Sequence, residues 1–443
     1  MTILFFLIII LFASTIIRPA YGLMVYSVIR LCIPHSARFL GFSLNSIVLA
    51  IIIVLSLPVM VKKIHSLEYI QKFFIKNNIQ YLSVILFLIF VSSITAVVPF
   101  AFQFSTFAQF IYTEVLPSIL FMLFFLDKKD YKSLNYVLAI CVLLTTSYSI
   151  FTFLTSTNPL YEMLSTTTDD IQENAAKGRA DLLGVGVGIM NNKITTSLIS
   201  LLYFVYFWNK RAVIGFWLHV PVLVLSLIGI LLTLQRSAIV CLLLFILYVI
   251  AKGGYKKKHL IWGGATVLFL LIIGYAYFSQ YGDFDLFFLS TIYFWNDSYQ
   301  DKIGVSGSSV GMRWTQLKTT FELAGFNILE GLGYHYSTYF DTELNLSNTS
   351  LGEKMMGFES IVFKEITSSG LIGLLAFFML LYRQSKLMVK WLIKNKKAYY
   401  IAFVGSYLLA IIMTDHSGTI YLFYIFLCLN IIYSRYYDVE IKR

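Results

Sequence analysis

AVIGFWLHVPVLVLSLIGILLTLQRSAIVCLLLFILYVIA, residues Ala212–Ala251, is forty residues of almost unbroken apolar sequence. A helix needs about 20 such residues to cover the roughly 30 Å of hydrocarbon in a bilayer. The stretch is therefore long enough for two crossings. Its strongly polar break is Thr233-Leu-Gln-Arg-Ser237. A hairpin has to turn there, which sets Arg236 at a membrane boundary between two helices. An arginine at such a boundary is often an anchor that snorkels to lipid headgroups. This turn is short, however, and arginines at other helix ends lie mostly on the opposite side.

Working outward, the same pattern repeats along the 443 residues, of which 58% are hydrophobic and 13% charged. The hydropathy predicts an all-α polytopic membrane protein, a single integral membrane domain over 1–443. About twelve transmembrane helices are expected, at Ile3–Ile17, Leu40–Val61, Tyr81–Phe100, Thr106–Leu126, Leu134–Leu154, Met190–Trp208, Ala212–Leu234, Ser237–Ala251, His259–Phe278, Ile361–Tyr382, Tyr399–Met413 and Gly418–Tyr433. The first run resembles a signal peptide but lacks a basic start, so it reads as a retained helix. The stretch after it, Arg18–Arg38, reads as an interfacial segment. Two links are long, 156–189 and 280–358, and the larger is expected to be partly helical.

Basic residues in short loops orient such a chain. With the N-terminus inside, one side collects 22 of the 34 lysines and arginines and only five of the 23 acids. The other side carries both long loops and the remaining acids. Both termini are thus expected in the cytoplasm and both long loops outside it. The formal charge of +11 is on this view a topology signal and not a sign of nucleic-acid binding. The four cysteines lie in or beside apolar runs, which speaks against a disulfide framework or a metal cluster. No phosphate-binding loop with its lysine appears, nor a histidine pair at metal-ligand spacing.

The chemistry-bearing residues gather on the loop side. Arg179 lies in Ala176-Lys-Gly-Arg-Ala-Asp-Leu-Leu-Gly-Val-Gly-Val-Gly-Ile-Met-Asn-Asn-Lys193, where glycines 184, 186 and 188 let backbone approach a ligand; glycine runs also occur in plain loops. Arg313 lies in a segment that reads as a surface helix, and a solvated arginine is the bland alternative. Glu359 stands two residues before the span Ile361–Tyr382. Partial burial raises a carboxylate's pKa and nearby arginines lower it, a combination that tunes a general base. It is equally placed to cap the helix. His335 and His416 are secondary candidates, structural or solvated on the bland view. Glu114 is a carboxylate inside a span, where an ionisable group is costly and pairs or functions.

The stretch Gly357-Phe-Glu-Ser-Ile-Val-Phe-Lys-Glu-Ile-Thr-Ser-Ser-Gly-Leu-Ile-Gly373 resembles a motif of the O-antigen polymerase and ligase superfamily, His-Asn-x-x-Leu-x-x-Leu-x-Glu-x-Gly-Leu-x-Gly. Gly370-Leu-Ile-Gly373 matches its end. Counting back eleven residues puts Glu359 in the histidine slot and Ser360 in the asparagine slot. The turn Gln235-Arg-Ser-Ala238 is similar to the family's Ser-Arg-Gly/Ala turn. The Arg179 segment resembles its Arg-x-x-Gly-x-x-x-Asn-x-Asn, and Arg313-Trp314 with Gly331-Leu-Gly333 its Arg-x-x-Trp…Gly-x-Gly. The resemblance covers roughly 176–382. It implies a glycosyltransferase of the bacterial inner membrane that polymerises O-antigen repeat units carried on undecaprenyl diphosphate, for lipopolysaccharide. Glu359 and Arg236 would be catalytic, and Arg179, Arg313, Arg236 and His335 would hold the diphosphate. No metal and no nucleotide cofactor is implied, and a partner protein that sets chain length is. The missing His-Asn pair argues against the ligase branch. A ligase passing polymer to lipid A-core and a repeat-unit flippase remain as alternatives.

Overall fold

The computed structural model describes residues 2–34, 37–39, 42–125, 127–155, 157–164, 188–189, 192–233, 235–252, 310–342, 360–390, 394–414 and 418–436. Along these run α1 (Thr2–Ile17), α2 (Pro19–Cys32), α3 (Leu44–His65), α4 (Tyr69–Thr95), α5 (Phe100–Phe124), α6 (Lys128–Thr155), α7 (Lys193–Phe207), α8 (Phe216–Leu232), α9 (Arg236–Lys252), α10 (Val310–Ala324), α11 (Tyr336–Thr342), α12 (Ile361–Lys390), α13 (Lys394–Thr414) and α14 (Ile420–Tyr436). Helices α3, α4, α5, α6, α12 and α13 are long and apolar enough to cross a membrane, and α1, α2, α7, α8 and α14 are shorter apolar helices. The chain is a multi-pass helical membrane protein. The expected span His259–Phe278 lies outside the described residues.

Several helices begin earlier or end later than hydropathy predicts. Helix α4 starts at Tyr69 rather than Tyr81, because Glu68 and Gln71 form a reciprocal capping box. Its first turns carry Lys72, Lys76, Asn77 and Asn78, which depress hydropathy without opposing helix. Helix α5 is continuous but contains a π-helical turn over Ile111–Val115. Pro117 follows it and cannot donate to the carbonyl four residues back, so the hydrogen-bond ladder has to be reset here.

The N-terminal reading needs correction. Arg18–Arg38 is not an interfacial strip. Residues Pro19–Cys32 form α2, buried along ten of its positions and packed on α1, α3 and α6. Arg18, the single residue between α1 and α2, bonds Asp130 at 2.8 Å and reaches Asp127 at 3.5 Å. Lys63 sits at that same end, donating to the Leu123 carbonyl. The α1–α2 hairpin thus has its bend at the basic end of the bundle, and Thr2 lies toward the opposite, loop end. Hydropathy missed α2 because Arg18 precedes it and Arg30 lies in its last turn.

The last helix is the centre of the molecule. Every residue from Ile420 to Ser434 in α14 is buried, as expected of a helix apolar on all faces. It packs against α5, α7 and α12. At the basic end the fully buried Lys210 donates to Asn430 Oδ1 at 2.7 Å and lies 3.7 Å from the Tyr433 ring centre. This cation–π and hydrogen-bonded setting offsets the cost of burying the charge.

Candidate active site at the loop end

Helix α12 breaks at Gly370, whose φ of +66° and ψ of −172° interrupt the helical ladder. A broken helix inside a membrane bundle needs partners for its freed backbone groups. The segment 328–333 supplies them. Leu332 and Gly333 N–H groups donate to the Thr367 and Ser368 carbonyls at 2.7 and 3.2 Å, and Leu371 and Ile372 N–H groups donate back to Ile328 and Leu329 at 2.9 and 3.2 Å. The approach requires glycine on both sides. A Cβ on Gly331, at φ +81°, would stand 2.6 Å from Gly370 N, and one on Gly370 would stand 2.2 Å from the Leu329 carbonyl oxygen. Two separate glycine motifs of the sequence therefore form one interlocked feature.

The other side of this loop is clamped by α5. The buried Gln103 accepts from the Tyr334 N–H at 2.7 Å and from Ser92 Oγ at 2.9 Å, and donates to the Val98 carbonyl at 2.8 Å. Tyr334 is thereby directed into the bundle, edge-on to Phe107 and Phe110. Burial pushes its hydroxyl well above the ordinary tyrosine range, and the carboxylates Glu365 and Glu114 add to the effect. Tyr334 stays neutral at physiological pH. His335, the next residue, adopts a left-handed φ of +59°, unusual for a non-glycine residue. It is half-buried, with Nδ1 3.4 Å from Thr338 Oγ1.

Two carboxylates lie beneath this loop. Glu114 sits on the π turn of α5 and faces Arg30 Nη2 at 3.4 Å. Its second oxygen accepts the Tyr421 N–H at 2.7 Å, one of the otherwise unsatisfied amides at the start of α14. The Arg30 guanidinium lies 4.0 Å from the Tyr421 ring centre. The pair is largely buried, with side-chain exposures of 7% and 14%. Glu365, on α12 before the break, accepts from Ser369 Oγ and interacts electrostatically with Tyr81, Tyr334 and Tyr424. Tyr334 and Tyr424 interact with both carboxylates. The expected span Ile361–Tyr382 already held Glu365, so the rule that singled out Glu114 applied to it as well. Arg30 and Tyr334 carried no comparable signal.

Arg236 is the first residue of α9, half-buried, directly after the turn that the sequence requires. A cation there sits at the positive end of the helix dipole, so dipole compensation does not account for it. Arg313, on α10, donates from Nη2 to the Met413 carbonyl at 2.7 Å, near the C-terminal end of α13. That contact complements the negative end of α13. Helices α9 and α13 pack together, with Phe245 against Tyr399. Helix α10 rests on α12, burying Gln316, Thr319 and Thr320 and exposing Trp314 and Phe321.

Arg179, Glu359 and His416 lie outside the described residues. Next to Glu359, the buried Ser360 starts α12, its Oγ accepting from the Val362 N–H at 3.3 Å. Side-chain capping of α12 is therefore carried by Ser360. Asn192, from the Arg179 segment, caps α7 by accepting from Ile194 and Thr195 N–H groups. Among the described residues no group of three metal-ligating side chains occurs.

The fold and this loop-end assembly define an integral membrane protein with ionisable groups held under a loop at one end of the bundle. Residues 221–378 match the sequence model of the O-antigen ligase family, within the O-antigen polymerase and ligase superfamily. The matched region holds Arg236, Arg313, both interlocking glycine motifs, Glu359 and Glu365. No curated protein matches the chain.

Proposed function

We propose that the chain polymerises O-antigen repeat units carried on undecaprenyl diphosphate, by glycosyl transfer on the periplasmic face of the bacterial inner membrane. The observation that carries this reading is the interlock of Gly331–Gly333 with Gly370. It lies inside the family-matched region and brings the outer loop against the broken helix that Glu359 precedes. In this reading the basic end of the bundle and the C-terminus are cytoplasmic. On this reading the α1–α2 hairpin puts Thr2 at the outer face and Arg18 on the cytoplasmic side, in keeping with the preference for basic residues there.

In the reaction an acceptor sugar hydroxyl attacks the anomeric carbon of the growing chain. The new C–O bond forms as the anomeric C–O bond to diphosphate breaks, and the lipid diphosphate leaves with the electron pair. Glu359 takes the hydroxyl proton. Arg236, Arg179 and Arg313 face the diphosphate, with His335 beside them. An arginine fork can hold phosphate oxygens bidentately, and fixed positive charge lowers the energy of the developing leaving group. Helix α9 adds its own N-terminal amides beside Arg236, an arrangement suited to an anion. A chain-length regulator is the expected protein partner.

Polymerase is favoured over ligase because Glu359 and Ser360 occupy the slots where ligases carry His-Asn. Deleting the gene tests this. A polymerase loss leaves lipopolysaccharide core bearing a single repeat unit, whereas bare core with accumulated lipid-linked polymer identifies a ligase.

A further inference from the structure

At the basic end of the bundle, far along α12 from Gly370, helices α4 and α12 part to leave a cleft of about 620 Å³. Helices α4 and α12 run antiparallel here, with Tyr81 against Phe377 and Arg383 Nη1 donating to Gln80 at 2.6 Å. Among the described residues the lining includes Lys76, Arg383, Lys386 and Lys390 and no carboxylate. Gln80 fixes the guanidinium, and Lys390 lies 5.0 Å from the Tyr69 ring centre. Lys76 and Lys386 have neither an ion-pair nor a hydrogen-bond partner among the described residues. Asn77 also lines the cleft, is 95% buried, and its Nδ2 donor has no hydrogen-bond partner there. A buried amide donor without a partner costs free energy unless something outside the chain accepts from it.

The surfaces leading into the cleft are apolar. On α4 the exposed positions Lys76, Gln80, Ser83, Phe87, Phe90 and Ile94 follow helical spacing, apolar from Phe87 onward, and on α12 Ile372, Leu375, Met379, Tyr382 and Lys386 do the same. Each helix thus presents an apolar stripe that ends in cations at one membrane boundary. A soluble anion would use only the cations. A lipid with an anionic headgroup and acyl chains uses both parts, and basic pockets between helices at a membrane surface are the usual form of such sites.

We propose that this cleft binds an anionic glycerophospholipid. Its phosphate lies among Lys76, Arg383 and Lys386, an oxygen of its headgroup accepts from Asn77, and its chains lie along the two stripes. The site lies at the end of the bundle opposite the loop and does not depend on the transferase reading.

The test is native mass spectrometry of the purified full-length protein in detergent. The probes are dioleoyl phosphatidylglycerol, dioleoyl phosphatidylcholine and inorganic pyrophosphate. Wild type is expected to prefer phosphatidylglycerol. The K76Q/R383Q/K386Q variant is expected to lose affinity for that lipid by about 100-fold, on the basis of roughly 1 kcal/mol per basic residue. The K76R/K386R variant should keep it. Asn77→Leu, which needs no partner, should weaken it several-fold while the thermal midpoint holds or rises, so it decides the matter even if the triple variant fails to fold. Equal binding of phosphatidylcholine, unchanged affinity in the triple variant or in Asn77→Leu, or displacement by pyrophosphate at equal concentration would each overturn the proposal.

Discussion

The paired charges Arg30 and Glu114 are where a single side chain weighs most. Removing one member of a buried pair strands the other, at a cost of roughly 3–5 kcal/mol, whereas replacing both with apolar groups is often neutral. Glu114→Leu is therefore expected to lower the thermal midpoint sharply in detergent, and Arg30→Met/Glu114→Leu to recover most of it. A double variant as unstable as the single one would mean that Glu114 matters chiefly as the cap on Tyr421. For the chemistry, Glu359→Gln keeps size but cannot take a proton, so polymer formation should fall by about 10²–10⁴-fold while the protein still inserts. Glu359→Asp should keep part of the activity. Glu365→Gln, measured in the same assay, separates the two carboxylates. Full activity in Glu359→Gln with none in Glu365→Gln would transfer the base to Glu365, already set among Tyr81, Tyr334 and Tyr424. Arg236→Lys keeps the charge but loses the planar fork, and severe polymer loss at normal protein level is expected. Near-normal polymer length would make Arg236 an interface anchor. At this scale the sequence singles out Arg236 as the charged residue of an apolar stretch, and Glu114 through the rarity of carboxylates in spans. Arg30 was unreadable because its partner is 84 residues away, and no local pattern announces such a pairing.

Among the elements, the break in α12 and the loop locked onto it are the most demanding. Gly370→Ala forces a side chain onto a positive-φ backbone essentially reserved for glycine, about 1–3 kcal/mol, and against the Leu329 carbonyl. A lower thermal midpoint and loss of polymer are expected. Gly405→Ala on α13 is the control, since a Cβ there meets nothing within 4 Å and alanine favours helix; its midpoint should hold or rise. An unchanged midpoint in Gly370→Ala would show that the loop yields and the interlock is not structural. Both glycine motifs were visible in the sequence, in their right order, but not their contact. Backbone hydrogen bonds between segments about forty residues apart leave no mark in hydropathy. The same limitation explains α4, whose first turns are too polar to register as membrane sequence yet are held helical by Glu68 and Gln71.

For the whole molecule, the all-helical membrane class followed directly from the apolar runs, while the topology at the N-terminus did not. Hydropathy alone gives one crossing before Arg18 and leaves the next stretch at the surface. The structure instead folds Pro19–Cys32 into the core beside α6. A cysteine introduced as Thr2→Cys is expected to react with a membrane-impermeant maleimide from the periplasmic side. Labelling only after the inner membrane is opened would contradict the hairpin. Which helix sits at the centre was equally hidden, because α14 resembles the other spans in composition and differs only in being buried on every side. The proposed function is that this bundle joins lipid-linked repeat units at its loop end. Its most direct test is purified protein in liposomes given a synthetic undecaprenyl-diphosphate repeat unit, with products resolved by size. A ladder of chains growing by one repeat unit, lost in Glu359→Gln, is the predicted result. Transfer of one unit to added lipid A-core without a ladder, or no sugar transfer alongside movement of the intact lipid across the bilayer, would contradict it.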